Sequence, residues 1–241
     1  MNIALILSGG TGSRLAADIP KQYIDIHGRP MITYCLETIA EHEKIDAIQI
    51  VADIQWRDFI LNCMKSACFL RKFKGFSLSG KTRQLSIWNG LRDIREDTEN
   101  YEWVLIHDAA RPFVSSDLIG DCLQMAVGYD GVLPVLPMKD TVYLSENGST
   151  VSDLLDRNKI FAGQAPEVFQ IKKYYRANEV LLPDRLFTIN GSTEPAVMAG
   201  MDIVMIPGDE NNFKITTKAD LERCRRMAEN LMMWQTERNF I

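Results

Sequence analysis

Short apolar runs alternate with stretches of helical periodicity along most of the chain. Ile3–Leu7, Ile45–Val51, Phe73–Leu78, Trp103–Ile106, Val132–Leu136 and Ile203–Ile206 are brief runs, mostly rich in Ile, Val and Leu, and they predict strands. Between them, Met31–Glu41, Trp56–Cys68, Thr82–Arg95 and Ser116–Val127 place apolar residues at i, i+3 and i+4 and predict helices, the last with an N-cap at Ser116-Asp117. Strands that are apolar on both faces must be covered on both. The pattern therefore predicts an α/β fold, a doubly wound and mostly parallel sheet with helices on either side.

Two segments depart from this rhythm. Residues 138–160 are polar, alternate in "DTVYLS" and contain the turn-like "SENGST", which reads as a protruding β-arm. A lone hairpin cannot bury itself, so the arm predicts a homodimer in which it lies on a second copy. Residues 167–187 read as a mixture of loop and helix. At the C-terminal end, "KITTKADLERCRRMAENLMMW" is an amphipathic helix with Thr217 as N-cap and Asp220 at the third helical position. No repeat or composition shift divides residues 1–241, so one domain carrying the arm 138–160 is expected.

Charge narrows the classes of partner. Lys and Arg number 27 against 32 Asp and Glu, a net charge of −5, with no basic block of the kind a nucleic-acid surface needs. The five cysteines are widely spaced and include no C-x-x-C pair, which suits buried thiols in a reducing compartment better than zinc or a disulfide framework. No apolar run approaches ~20 residues and the start lacks the layout of a signal peptide, so a cytoplasmic protein without a membrane partner is expected.

The candidate chemistry begins at "LSGGTGSRLAADIPKQY", residues 7–23, where a buried strand runs into glycines. Without a Cβ, glycine lets backbone N–H groups approach an anion closely. The dinucleotide fingerprint fails because Leu15 stands where its third glycine belongs, and starting from Gly9 or Gly10 no Gly-Lys-Ser/Thr follows to complete a P-loop. What remains is a glycine loop (Gly9, Gly10, Gly12) with Arg14 inside it and Lys21 beyond Pro20, two cations suited to a triphosphate.

Further along, "IHDAARPF" ends the fourth strand, where open parallel sheets bind ligands. Asp108 and Arg111 emerge there, and Asp108 is a candidate ligand for hydrated Mg²⁺. His107, at the end of a buried strand, reads as a structural residue. "SGKTRQLS" opens a helix, and its amides and the Ser86 hydroxyl are placed to read the edge of a base.

In order along the chain, "LSGGTGSRLAADIPKQY", "SGKTRQLS", "IHDAARPF", "PMKDTV", "DRNKIFAGQAPEVF" and "NFKITTKADL" resemble the polyol-phosphate cytidylyltransferase family. The resemblance implies a Rossmann-like nucleotidyltransferase that moves CMP from CTP to a polyol phosphate, releases pyrophosphate, requires Mg²⁺ and works as a homodimer through its β-arm. Carried across by motif, Ser8, Gly9, Gly10, Gly12, Gly80, Lys81 and Ser86 would bind the nucleotide. Arg14, Lys21, Asp108 and Lys214 would act in catalysis, with Asp108 on the metal. Arg111, Thr141 and Arg157 would bind the acceptor, the last two from across the dimer.

Two motifs depart from the family pattern. Ser192-Thr193-Glu194 stands in place of Thr-Asp-Glu, which removes an acid, and Ala165 replaces the threonine of Thr-Pro-Gln. Glu194 is a candidate for the missing acidic role. "HDAARP", "KDT" and "DRN" favour methylerythritol phosphate as acceptor, whereas the double glycine, "GQ" and "KITT" point to ribitol phosphate. A non-catalytic nucleotide binder is a third reading. A nucleotide-sugar glycosyltransferase is disfavoured because the chain has no D-x-D.

Overall fold

A computed structural model describes residues 1–10, 19–95 and 100–238. In chain order it contains β1 (Asn2–Leu7), β2 (Asp25–Ile26), β3 (Arg29–Pro30), α1 (Met31–Glu41), β4 (Ala47–Val51), α2 (Ile54–Cys63), α3 (Ala67–Lys72) and β5 (Phe73–Ser77). There follow α4 (Arg83–Ile94), β6 (Trp103–Asp108), α5 (Ser116–Met125), β7 (Gly131–Pro137), β8 (Val142–Leu144), β9 (Asp153–Leu155) and β10 (Phe161–Gly163). The chain ends with β11 (Glu167–Gln170), α6 (Ile171–Glu179), α7 (Glu194–Met198), β12 (Ile203–Pro207) and α8 (Lys218–Arg238).

The main sheet has the order β10-β7-β11-β6-β1-β4-β5, with β12 also paired to β7. β6, β1, β4 and β5 run parallel to one another. Side chains alternate across a strand, so β1 feeds two cores. Ala4 and Ile6 join Leu36, Ile39, Ile119 and Leu123 beneath α1 and α5. Ile3 and Leu5 join Ile87, Leu91 and Tyr174 beneath α4 and α6. This is the doubly wound arrangement that the apolar runs require.

Three local expectations are corrected. The helix expected over Trp56–Cys68 is two helices, because Ser66 accepts a hydrogen bond from the Phe69 amide and caps a new start. The N-cap of α5 is Ser115 rather than Ser116-Asp117, its hydroxyl accepting from the Leu118 amide. Residues 167–170, within the segment expected as loop and helix, form β11, which lies antiparallel between β6 and β7. A four-residue strand followed at once by a helix gives no period to read. At α8 the expected cap is present, with Thr217 Oγ1 accepting from the Asp220 amide and Asp220 accepting from the amides of Thr216 and Thr217.

The arm is a two-stranded sheet of β8 and β9 that stands apart from the main sheet. Tyr143, Leu144, Val151 and Leu154 are exposed on it. Among the described residues no helix is long and apolar enough to cross a membrane.

Candidate active site

A cavity of about 610 Å³ opens beyond the carboxyl ends of β1, β4 and β6, where an open α/β sheet presents its loops. One end is lined by Gly9, Gly10, Asp53, Ser79, Gly80, Lys81 and Ser86, and the other by Lys21, Arg83, Asp108, Lys214 and Thr216. The first end presents glycines and serine hydroxyls beside one charge of each sign, Asp53 and Lys81. The second is cationic apart from one carboxylate.

The first end depends on missing side chains. A Cβ on Gly9 would lie 2.3 Å from Ser79 Cβ, and one on Gly80 would lie 2.4 Å from Leu85 Cβ and 2.8 Å from the Ser86 amide nitrogen. Only glycine allows these chain segments to touch. The loop before α4 is held further by the Gly80 amide, which donates to Ser86 Oγ at 2.9 Å, while that hydroxyl donates to Thr82 O at 3.1 Å. Ser86 therefore shapes the loop that lines this end as well as facing it.

Gln22 fixes the start of the glycine loop. It sits in a single 3₁₀ turn, residues 21–23, and its side-chain amide donates to Ser8 O at 2.6 Å and Gly10 O at 2.9 Å. Ser8 itself is buried, and its hydroxyl donates to Tyr23 Oη at 2.8 Å, so it supports the loop from behind. Lys21 Nζ donates to Ile215 O at 2.6 Å, and the Ile215 amide donates to Ala110 O at 2.9 Å. The strap 214–216 is thereby stitched to both the 3₁₀ turn at 21–23 and the turn after β6.

Asp108 is the hub of the cationic end. Arg83 Nε lies 3.0 Å from Oδ1, Lys214 Nζ 2.8 Å from Oδ2 and Arg111 Nε 3.9 Å from Oδ2. Burial would raise the carboxyl pKa, but Arg83 and Lys214 outweigh it and hold the group well below the ordinary carboxylate range. Arg111 faces inward, only 11% exposed, with NH1 donating to Asn212 O at 2.6 Å. Burial lowers its pKa. His107 is fully buried, and its Nε2 pairs with Arg111 O at 3.0 Å. Desolvation pushes that imidazole down to about 4, so it is neutral near pH 7 and structural, as its place on the strand suggested.

The structure thus gathers Gly9, Gly10, Lys21, Gly80, Lys81, Ser86, Asp108 and Lys214 around one cavity, with Ser8 and Arg111 behind its wall. Thr141 and Arg157 are elsewhere, exposed on the arm, where Arg157 donates to Lys139 O at 2.9 Å. Gly12 and Arg14 lie outside the described residues. Glu194 does not line the cavity. Its carboxylate accepts from the amides of Asn190 and Gly191 at the start of α7.

Sequence alone assigns no role to Gln22, Asp53, Ser79, Arg83, Thr216 or Glu167, and the two that bear most on the charge of the site are Arg83 and Glu167. Arg83 was inside a quoted motif, and a cation in the first turn of a helix opposes the helix dipole, a signal that it has another partner. Glu167 opens an apolar strand, where a carboxylate is costly unless paired.

Comparison with known proteins adds a finding that decides the family. The model of the family described as "IspD: 2-C-methyl-D-erythritol 4-phosphate cytidylyltransferase" matches residues 2–230. The chain belongs to this family. A 2-C-methyl-D-erythritol 4-phosphate cytidylyltransferase of Lachnospira eligens is 31% identical over 226 residues, covering 92% of this chain and 96% of that protein. A ribitol-5-phosphate cytidylyltransferase of Vibrio parahaemolyticus is 30% identical over 221 residues, covering 91% and 92%. The IspD family consists of CTP-dependent nucleotidyltransferases, and the chain shares its fold. The crystal structure of the Francisella tularensis IspD superimposes with a TM-score of 0.77 at 26% identity, covering 92% of this chain and 97% of that one. The crystal structure of a 4-diphosphocytidyl-2C-methyl-D-erythritol synthase from Anaerococcus prevotii gives a TM-score of 0.80 at 24% identity, covering 95% and 96%.

Proposed function

We propose that the protein transfers CMP from CTP to 2-C-methyl-D-erythritol 4-phosphate and releases pyrophosphate. The observation that carries this reading is one cavity whose glycine-walled end suits a base and ribose and whose other end is lined by Lys21 and by Arg83 and Lys214, the last two paired to Asp108. Family membership supports the cytidylyl transfer, and the methylerythritol motifs in "HDAARP", "KDT" and "DRN" support the acceptor.

The chemistry asks little covalent work of the protein. An oxygen of the acceptor phosphate attacks the α-phosphorus of CTP and the bond to the bridging oxygen of pyrophosphate breaks, so no side-chain nucleophile is needed. Lys21 donates to Ile215 O and Lys214 to Asp108, which holds both ammonium groups at the cationic end of the cavity. Their charge is already in place where negative charge accumulates.

Asp108 also fits a Mg²⁺ ion carried by the triphosphate. Magnesium takes one or two carboxylates together with phosphates and waters, and each Asp108 oxygen retains a lone pair after its contacts with Arg83 and Lys214. Bound there, it would neutralise charge on the phosphates.

The exposed arm supports a homodimer in which Thr141 and Arg157 complete the acceptor site across the interface. Pyrophosphate release with CTP, UTP and ATP against methylerythritol phosphate and ribitol 5-phosphate tests the whole reading. Turnover with CTP and methylerythritol phosphate is expected. Preference for ribitol 5-phosphate would reassign the acceptor, and CTP binding without pyrophosphate release would make the protein a binder.

A further inference from the structure

We infer that Glu167 is a positioning residue for this reaction, holding Arg83 from behind so that Arg83 in turn holds Asp108. The inference rests on the cytidylyl-transfer reading of the cavity. Its basis is the register of the sheet. Glu167 pairs with Ile106 across β11 and β6, and Asp108 lies two residues further along β6, on the same face. The two carboxylates are diagonal neighbours above α4, and Arg83 in the first turn of α4 reaches both. Its Nε is 3.0 Å from Asp108 Oδ1 and its NH2 is 3.6 Å from Glu167 Oε2.

Glu167 is in turn held rigidly. The Ser192 hydroxyl donates to its Oε2 and the Thr193 hydroxyl donates to Oε1 at 3.3 Å. The loop bearing these hydroxyls is fixed because Tyr174 Oη donates to Ser192 O at 2.6 Å, and Tyr174 stacks on Phe169 two residues along β11 with ring centroids 4.1 Å apart. Glu167 is buried and does not line the cavity, and among the described residues the cavity-lining side chain it pairs with is Arg83. Without it, Asp108 alone would face three cations, Arg83, Arg111 and Lys214, and the inner edge of the Arg83 guanidinium would lose its anchor.

The same contacts explain the departure at residues 192–194. The motifs Thr-Pro-Gln and Thr-Asp-Glu would put a neutral amide at 167 and the acid at 193. Here the acid is at 167 and a hydroxyl at 193, and the two side chains touch. An acid placed at 193 would therefore stand one hydrogen bond from the Glu167 carboxyl, whereas Glu194 is turned onto the amides of Asn190 and Gly191.

The test compares Glu167→Gln with Glu167→Gln/Thr193→Asp. Glutamine keeps the shape and the bond to Ser192 but removes the charge. Expected are a fall in kcat of about tenfold or more with KM for CTP within about twofold, and recovery of most of the loss in the double variant. A structural role alone would lower the melting temperature without this split or this rescue. The NMR signal of Arg83 Nε–H provides a readout independent of turnover: slow exchange in the wild type, faster in the single variant, slow again in the double variant. Unchanged kcat in Glu167→Gln, or no rescue by Thr193→Asp, overturns the inference. Should the wild type turn over no polyol phosphate, the functional reading fails instead, and the Arg83 signal alone decides whether Glu167 holds the guanidinium.

Discussion

Lys214 Nζ lies 2.8 Å from Asp108 Oδ2, joining the strap before α8 to the tip of β6 across 106 residues of chain. The contact makes Lys214 both a counter-ion for Asp108 and a cation at the rim of the cavity. Lys214→Met should lower turnover with CTP about 100-fold, the effect of losing one charge-assisted contact to a transition state, while the Asp108 pKa rises. Steady-state pyrophosphate release measures the first effect, and carboxyl ¹³C titration of Asp108 the second.

Lys21→Ala tests the other side of the same end. Lys21 is bound to the strap through Ile215 O, so alanine removes a charge and a stitch together. A loss of at least ~100-fold in kcat, about 3 kcal/mol in the barrier, is expected. Near-normal turnover would remove Lys21 from the mechanism.

Gly80→Ala should damage the loop itself. The added methyl would overlap Leu85 Cβ and the Ser86 amide, atoms on a helix that cannot retreat freely. A destabilisation of about 1–3 kcal/mol in urea unfolding is expected from overpacking of this kind, together with weaker CTP binding by calorimetry.

Stability should fall as pH drops through two separate windows. His107 titrates at about 4 in the folded protein against 6.5 for the free side chain, so the unfolded chain binds the extra proton between those values and stability is lost from pH 6.5 towards 4. The full effect is about 3 kcal/mol. Asp108, whose folded pKa is depressed, contributes stability that is present above its unfolded value of 3.8 and is lost only at more acid pH. Chemical unfolding of His107→Gln should show a flatter profile in the upper window alone; an unchanged slope there would remove His107 as its source.

The proposed dimer makes a prediction of its own. Leu154 and Tyr143 are 60% and 59% exposed on the arm. Leu154→Glu/Tyr143→Asp should yield a monomer by light scattering, with KM for the acceptor raised at least about tenfold and CTP affinity retained. A monomeric wild type, or a monomeric variant with normal acceptor KM, would refute the exchanged-arm arrangement.

Local patterns carried far. The six apolar runs each became a strand, since a short run between turn signals has few other ways to be buried. The cap at Thr217 was legible because both partners lie within three residues. β11 was not legible, since Glu167–Gln170 is too short to show a period and its antiparallel place between β6 and β7 is set by its neighbours.

By itself, then, the chain determined its layered architecture, its arm, its glycine loop and the residue types for handling phosphate, because periodicity, turn chemistry and close backbone approach are encoded over a few residues. Only the tertiary structure decided which cations meet which carboxylates. Arg83, Lys214 and Glu167 converge around Asp108 because strand register and helix placement bring distant segments to one rim. A buried charge acquires its meaning from the partner that compensates its desolvation, and that partner is chosen by the fold rather than by adjacency in sequence.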